Sequence, residues 1–241
     1  MSGSLEPDDL VLALETSGEP GTVAVGTAVG QILAERSLEE RRQHAARLVP
    51  TVALALEAAG VGREELAGVV VGEGPGSFTG VRVAAATAKG LCLALGIPLR
   101  AVSSLVAAAL AERDSGAEED RPPAIRYVLF DARGDRVYGA CYGMGSAGVE
   151  TLVPPHAGTV RDVLAGDVPP GAVFVGEGAL RHQGPIHGAG FGVGPPPLGG
   201  PAARGLLRYL ALHPDTPAVD ARATWEPAYL RASNAEREWR G

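Results

Sequence analysis

Two acid-led turns carry the residue types for phosphate chemistry: Glu15-Thr16-Ser17-Gly18 and Asp131-Ala132-Arg133-Gly134. Backbone N–H groups and short hydroxyls in such turns can hold phosphate oxygens. The second turn, however, has Arg133 and Asp135 where glycines and a hydroxyl would be wanted, so both read better as hairpin geometry. Metal chemistry has less support. The five histidines are His44, His156, His182, His187 and His213, and no two stand three or four residues apart. Cys92 and Cys141 form no CxxC motif, which argues against a zinc ribbon or a redox pair. A Ser/His/Asp triad lacks the G-x-S-x-G elbow that would announce it.

The elements that must position these residues can be read from apolar runs and turn signals. Leu10–Leu14 is expected to be a buried strand, with Thr22–Gly26 as its hairpin partner and Gly30–Arg36 as a third strand. Gln43–Ala59 reads as a helix with Leu48, Val52, Leu56 and Ala59 on one stripe, bent or broken early by Pro50. Leu66–Gly72 is a β-branched run suited to a parallel strand. Gly74-Pro75-Gly76-Ser77 turns the chain into a long helix from about Thr79 to Leu95, and Leu99–Val102 follows as a short strand. Gly184–Gly200 is expected to be an exposed loop, and Ala202–Leu212 a helix.

The long helix is the most informative element. Arg82 and Lys89 are its only strongly polar residues, with Thr87 a weak third. Val81, Ala85, Ala88, Cys92 and Leu95 are expected to cover the home sheet, leaving Gly80, Ala84, Thr87 and Leu91 on another face. A helix apolar nearly all round must be covered on both sides. A second protein chain is one cover, and the second lobe or the C-terminal segment is the other possibility.

Composition bounds the function. Hydrophobic residues make up 46% of 241, enough for a core, and the 34 glycines and 19 prolines imply many turns. The net charge of −7, with Lys89 the single lysine, argues against unaided nucleic-acid binding. Arg36, Arg41, Arg42 and Arg47 are interrupted by Glu39 and Glu40 and read as a solvated helix face. The N-terminus lacks a signal-peptide pattern, and the longest apolar run, Val81–Leu95, contains Arg82 and Lys89. The expectation is a soluble cytoplasmic protein without a membrane span.

The second half repeats the first. Tyr127–Asp131, a turn, and Arg136–Tyr142 copy the opening strand–acid–turn–strand, and Val173–Gly178 matches Val69–Gly74 almost letter for letter. Two such lobes, with mixed sheets flanked by helices, resemble the α/β superfamily of actin, sugar kinases and heat-shock chaperone ATPases, called ASKHA and built on a ribonuclease H-like lobe. The expected division is 1–104 and 105–241, with 225–241 packing back. That resemblance implies a nucleotide cleft bounded by the two acid-led turns, with Glu15, Thr16, Ser17 and Asp131 as a degenerate phosphate loop.

A narrower likeness rests on Gly72-Glu73-Gly74-Pro75-Gly76-Ser77-Phe78-Thr79-Gly80-Val81-Arg82. This stretch resembles the signature of the TsaB family of bacterial tRNA threonylcarbamoyladenosine biosynthesis proteins. Leu12–Ser17, His44 with Leu48-Val49-Pro50, Asp131-Ala132-Arg133 with Val137-Tyr138, and Tyr229-Leu230-Arg231 are similar to other segments of the family, although Glu15 replaces the usual aspartate. The resemblance implies a non-catalytic subunit that pairs with a TsaD-like catalytic partner. With a TsaE-like ATPase, it would support threonylcarbamoyl transfer to N6 of adenosine 37 in ANN-decoding tRNAs. Ser104 and Ala108 stand where TsaD-like proteins carry a metal-binding histidine pair, so no metal is expected. The implied partner interface comprises Leu48, Val52, Phe78, Thr79, Gly80, Arg82, Ala84, Thr87 and Leu91. No cofactor is expected on the lone chain, ATP or ADP entering only with the complex, and tRNA is reached through the partner. A homodimer through the same helices, a small-molecule kinase and a TsaD-like metallopeptidase are the alternatives.

Overall fold

In the computed structural model, which describes residues 5–38, 44–112, 124–145, 148–221 and 225–228, the opening apolar run becomes β1 (Leu10–Glu15), the middle strand of a five-stranded sheet. Side chains alternate between the faces of a strand. Leu12 and Leu14 therefore enter one core, and Val11 and Ala13 enter another. A strand covered on both faces has to be apolar throughout, as this one is up to Glu15.

Antiparallel β2 (Thr22–Thr27) and β3 (Ile32–Ser37) extend the sheet on one side, and parallel β4 (Leu66–Gly72) and β5 (Leu99–Val102) on the other, giving the order β3-β2-β1-β4-β5. The second sheet joins β6 (Ala124–Asp131), β7 (Arg136–Gly145), β8 (Gly148–Thr159), β9 (Val173–Val175) and β10 (Gly192–Val193) in the order β10-β9-β6-β7-β8. Read from its other edge, this is the first sheet strand for strand. The chain is thus an α/β protein of two duplicated lobes with mixed sheets.

Helices α1 (His44–Ala59) and α2 (Phe78–Leu95) cover the outer face of the first sheet. The outer face of the second carries α4 (Val160–Ala165), α5 (Glu177–Arg181) and α6 (Gln183–Gly188). Between the sheets lie α3 (Ser104–Ala111) and α7 (Ala203–Leu212), α3 against the second sheet and α7 against the first. The 104/105 division is therefore crossed: α7 sits on the first lobe, Val219 bridges to Leu99, and the Arg100 Nε donates to the Thr216 carbonyl at 3.0 Å.

Every residue of α3 is buried. A helix end leaves carbonyls without partners and carries partial negative charge. Three arginines meet this need. Arg126 donates to the Ala109 and Glu112 carbonyls, Arg204 to Ala111, and Arg208 to Leu110 and Ala111. Arg204 also pairs with Glu35 and Glu112.

Two expectations need correction. Helix α1 runs on through Pro50 to Ala59. The ring is exposed, so it meets no packing neighbour and the carbonyl it leaves unbonded, on exposed Ala46, faces water. Gly184–Gly200 is more than a loop: most of α6 falls in it, Ile186 is fully buried, and Gly192-Val193 pairs parallel to β9 as the fifth strand. Gln43, the linker residues 113–123 and Tyr229-Leu230-Arg231 lie outside the described residues.

Candidate functional site

The strand ends β1, β4 and β5 deliver Glu15, Glu73 and Ser103 to one edge of the first lobe, where the chain turns into α2 and α3. The turn after β1 is held by its own neighbours. Thr16 Oγ1 donates to the Gly80 carbonyl at 2.7 Å, the Ser77 amide donates to the Ser17 carbonyl at 2.7 Å, and the Ser17 amide donates to Glu15 Oε1 at 2.7 Å. Gly76, at φ +155°, passes so close to Ser17 that a Cβ there would strike its carbonyl. Ser77 then caps α2, its Oγ accepting from the Gly80 amide at 3.3 Å. The Gly-Pro-Gly-Ser-Phe-Thr-Gly stretch is a brace that fixes the start of α2 to the β1–β2 turn. The Thr16 hydroxyl and the Ser17 amide are engaged inside it, while Ser17 Oγ is buried with no hydrogen-bond partner.

Glu15 is fully enclosed, and burial pushes its carboxyl above the ordinary carboxylate range against the opposing pull of the Ser17 amide. Its raised folded-state pKa means that the stability it contributes is present at low pH and lost as pH rises through the folded pKa. Glu15→Gln is therefore expected to raise the melting temperature at pH 7.5 by a few degrees, roughly 1 kcal/mol, with the gain shrinking towards pH 4.5. Thermal melts across that range check it; a loss of stability at pH 7.5 would show that the carboxylate is needed.

Across the cleft, Asp131 is half-buried and already engaged. Its Oδ1 accepts from the Arg133 amide at 2.9 Å and its Oδ2 from Arg181 at 2.5 Å. Burial raises the Glu177 carboxyl, helped by the nearby Asp131 and Glu19 charges. Glu15 and Glu19 at the first acid-led turn, and Asp131 and Glu177 at the second, put carboxyl groups on both sides of the cleft, with Asp131 paired to Arg181. Ser104 and Ala108 are fully buried in α3, and no group of three or more His, Cys, Asp or Glu side chains able to hold a metal occurs among the described residues.

The other candidate is the outer surface of α1 and α2, where the expected interface needs revision. Leu48, Val52 and Ala84 are buried with Leu12, Leu14, Val69 and Val71 in the core beneath the helices, and Gly80 is buried where Thr16 grips it. These four face their own lobe, so Ala84→Arg would break the fold, not merely a docking surface. The expected home face of Val81, Ala85, Ala88 and Cys92 is buried, but the buried stripe is wider than expected and takes in Gly80 and Ala84, because alanine and glycine offer little polarity to mark its edge. Thr87 and Leu91 are half-buried, while Phe78, Thr79 and Arg82 are exposed, with the Arg82 guanidinium 3.9 Å above the Phe78 ring.

Much of what is exposed on the two helices is apolar, beside Arg47, Glu57, Thr79 and Arg82. Val49 (59% exposed), Leu54 (54%), Phe78 (41%) and Leu93 (49%) are half of the large exposed hydrophobic residues among those described. Pro50, Ala53, Ala86, Gly90 and Ala94 are exposed on the same two helices. By length and composition α2 could cross a membrane, but six of its residues are buried in the molecule. One flank of α2 is closed by the C-terminal segment: Lys89 donates to the Trp225 carbonyl at 2.6 Å, and the Ala228 amide to the Glu73 carbonyl at 3.0 Å. Among the described residues, nothing buries Arg82, Ala86, Gly90 or Leu93 on the outward face.

Comparison with known proteins gives this surface a context. Residues 31–185 match the family model described as TsaD, tRNA N6-adenosine threonylcarbamoyltransferase. The chain is 30% identical over 243 residues to the tRNA threonylcarbamoyladenosine biosynthesis protein TsaB of Bacillus subtilis, covering 95% of this chain and 97% of that protein. It is 36% identical to an uncharacterized protein of Mycobacterium leprae, over 72% of this chain but 44% of that one. A Pseudomonas aeruginosa crystal structure, described as similar to the peptidase YeaZ, superimposes with a TM-score of 0.73 at 28% identity, covering 92% of this chain and all of that one. With the braced Gly-Pro-Gly-Ser-Phe-Thr-Gly loop and the duplicated lobes already in view, the chain belongs to the TsaB family of tRNA threonylcarbamoyladenosine biosynthesis proteins.

Proposed function

We propose that this chain is the non-catalytic subunit of the threonylcarbamoyl-transfer machinery. The outer face of α1 and α2 docks a TsaD-like catalytic subunit, and a TsaE-like ATPase completes the assembly. The complex transfers the threonylcarbamoyl group to N6 of adenosine 37 in ANN-decoding tRNAs in the cytoplasm. The observation that carries this reading is the run of exposed apolar side chains Val49, Leu54, Phe78 and Leu93 along two adjacent helices. Apolar surface of this extent on a soluble protein marks an interaction site.

The acidic cleft supports a scaffold over a kinase. A kinase would need the second turn free to accept phosphate, whereas the Asp131 carboxylate is bonded to Arg133 and Arg181. A metallopeptidase would need ligands at Ser104 and Ala108. ATP or ADP enters with the partners, and tRNA is bound through them, in keeping with the net charge of −7.

The test is a reconstituted modification reaction with TsaD-like and TsaE-like partners, a threonylcarbamoyl donor and tRNA. Omitting this chain is expected to reduce product at least tenfold, and calorimetric titration of the lone chain with ATP is expected to give no micromolar binding. Full modification without the chain, or tight ATP binding by the chain alone, would overturn the reading.

A further inference from the structure

A cavity of about 400 Å³ opens between the lobes, where Glu73 and Ser103 stand on the first-lobe edge that also carries the braced turn. None of Glu15, Thr16, Ser17 or Asp131 lines it. Its walls come from the β5–α3 junction, from β7 and β8, from the C-terminal end of α7 and from the chain that follows. That volume suits a ligand of about ten non-hydrogen atoms.

The lining is divided by chemistry. Val102, Val106 and Val149 supply an apolar wall. Glu73, Tyr142 and Tyr209 supply a carboxylate and two phenol rings. No lysine or arginine is among the lining residues, and Glu73 carries the only acidic side chain. Burial raises the Glu73 carboxyl, with the Trp225 hydrogen bond working against it, and Glu73 and Tyr209 line the same cavity. The His213 ring packs at a tilt against Tyr209, with ring centres 4.4 Å apart and planes 40° from parallel.

From this arrangement we infer that the interlobe cavity is a binding site for a small organic ammonium ion, its charge held by Glu73 beside the Tyr142 and Tyr209 rings and its carbon body against the valine wall. A half-buried carboxylate with no lysine or arginine in the lining attracts positive charge and repels a carboxylate or phosphate. Tyrosine faces add cation–π attraction. The apolar wall excludes a bare metal ion as the natural occupant, since such an ion needs oxygen ligands around most of its surface. This site is independent of the docking face, and its test uses the full chain without partners.

Three probes of the same shape separate charge from shape: phenethylammonium, 2-phenylethanol and phenylacetate, each titrated into the protein at pH 7.5 by calorimetry and ligand-observed NMR. Phenethylammonium is expected to bind with a Kd on the order of 1 mM or tighter. The alcohol is expected to bind at least fivefold more weakly, and phenylacetate not at all. Glu73→Gln is expected to bring the ammonium ion down to the alcohol's affinity while leaving the alcohol unchanged. Thr151 lies exposed on β8 at the cavity's edge, so Thr151→Trp should close the entrance without disturbing the core and abolish binding of all probes. Absence of ammonium binding, equal binding of the three probes, or ammonium binding unmoved by either substitution would overturn the assignment.

Discussion

Ala86→Arg is expected to weaken association with a TsaD-like subunit at least a hundredfold while leaving this chain folded. Ala86 is exposed midway along α2, between Arg82 and Gly90 on the outward face. In the free protein an arginine there extends into water at almost no cost. In a docked complex its guanidinium would be stripped of water against an apolar surface, at a cost of about 3 kcal/mol or more. Leu54→Arg on α1 should act in the same way, since Leu54 is 54% exposed. Buried Ala84, two residues before Ala86 in sequence, supplies the contrast: Ala84→Arg should lose the fold together with the partner. Association is read by light scattering of the mixed proteins and folding by circular dichroism. Normal pairing of Ala86→Arg and Leu54→Arg would remove α1 and α2 from the interface.

The largest effect on stability is expected from Gly205→Val. Gly205 lies in α7 where that helix crosses α3, and a Cβ at this position would fall on the Ala107 carbonyl. Backbone atoms inside two packed helices cannot move aside as a flexible side chain would. The two middle layers would have to separate, and both sheets rest on them. A loss of about 3 kcal/mol or more follows, or a fall in melting temperature of roughly 6–12 °C. Gly90 is the control. Open space surrounds the Cβ that a substitution would add there, so Gly90→Ala should be neutral or slightly stabilising in a helix. Equal melting temperatures for Gly205→Val and the parent would show that α3 and α7 do not cross this closely.

The duplication was legible because Val69–Gly74 and Val173–Gly178 repeat a strand whose two faces are both covered, and such strands must stay apolar throughout. The glycine-rich loop was legible as a motif, but its purpose as a brace emerged only from the bonds of Thr16 and Ser77. Helix α2 was legible as a helix, and the edge of its buried stripe was not. Alanine at 84, 85, 86 and 88 leaves the moment nearly blank, so Ala84 was placed outward when it belongs to the core. Strand β10 was missed because a two-residue strand, one residue of it glycine, carries no alternation to detect. The arginine cap on α3 was invisible for another reason: Arg126, Arg204 and Arg208 converge from distant parts of the chain, and no spacing announces them.

The account rests on one surface, and methyl-resolved NMR of this chain with and without a TsaD-like subunit tests it most directly. The methyl signals of Val49, Leu54 and Leu93 are expected to shift or broaden on addition of the partner. Those of Val29 and Leu33, which are exposed on the β2–β3 hairpin, should stay unchanged. Perturbation centred on Val29 and Leu33, with Val49, Leu54 and Leu93 undisturbed, would contradict the account.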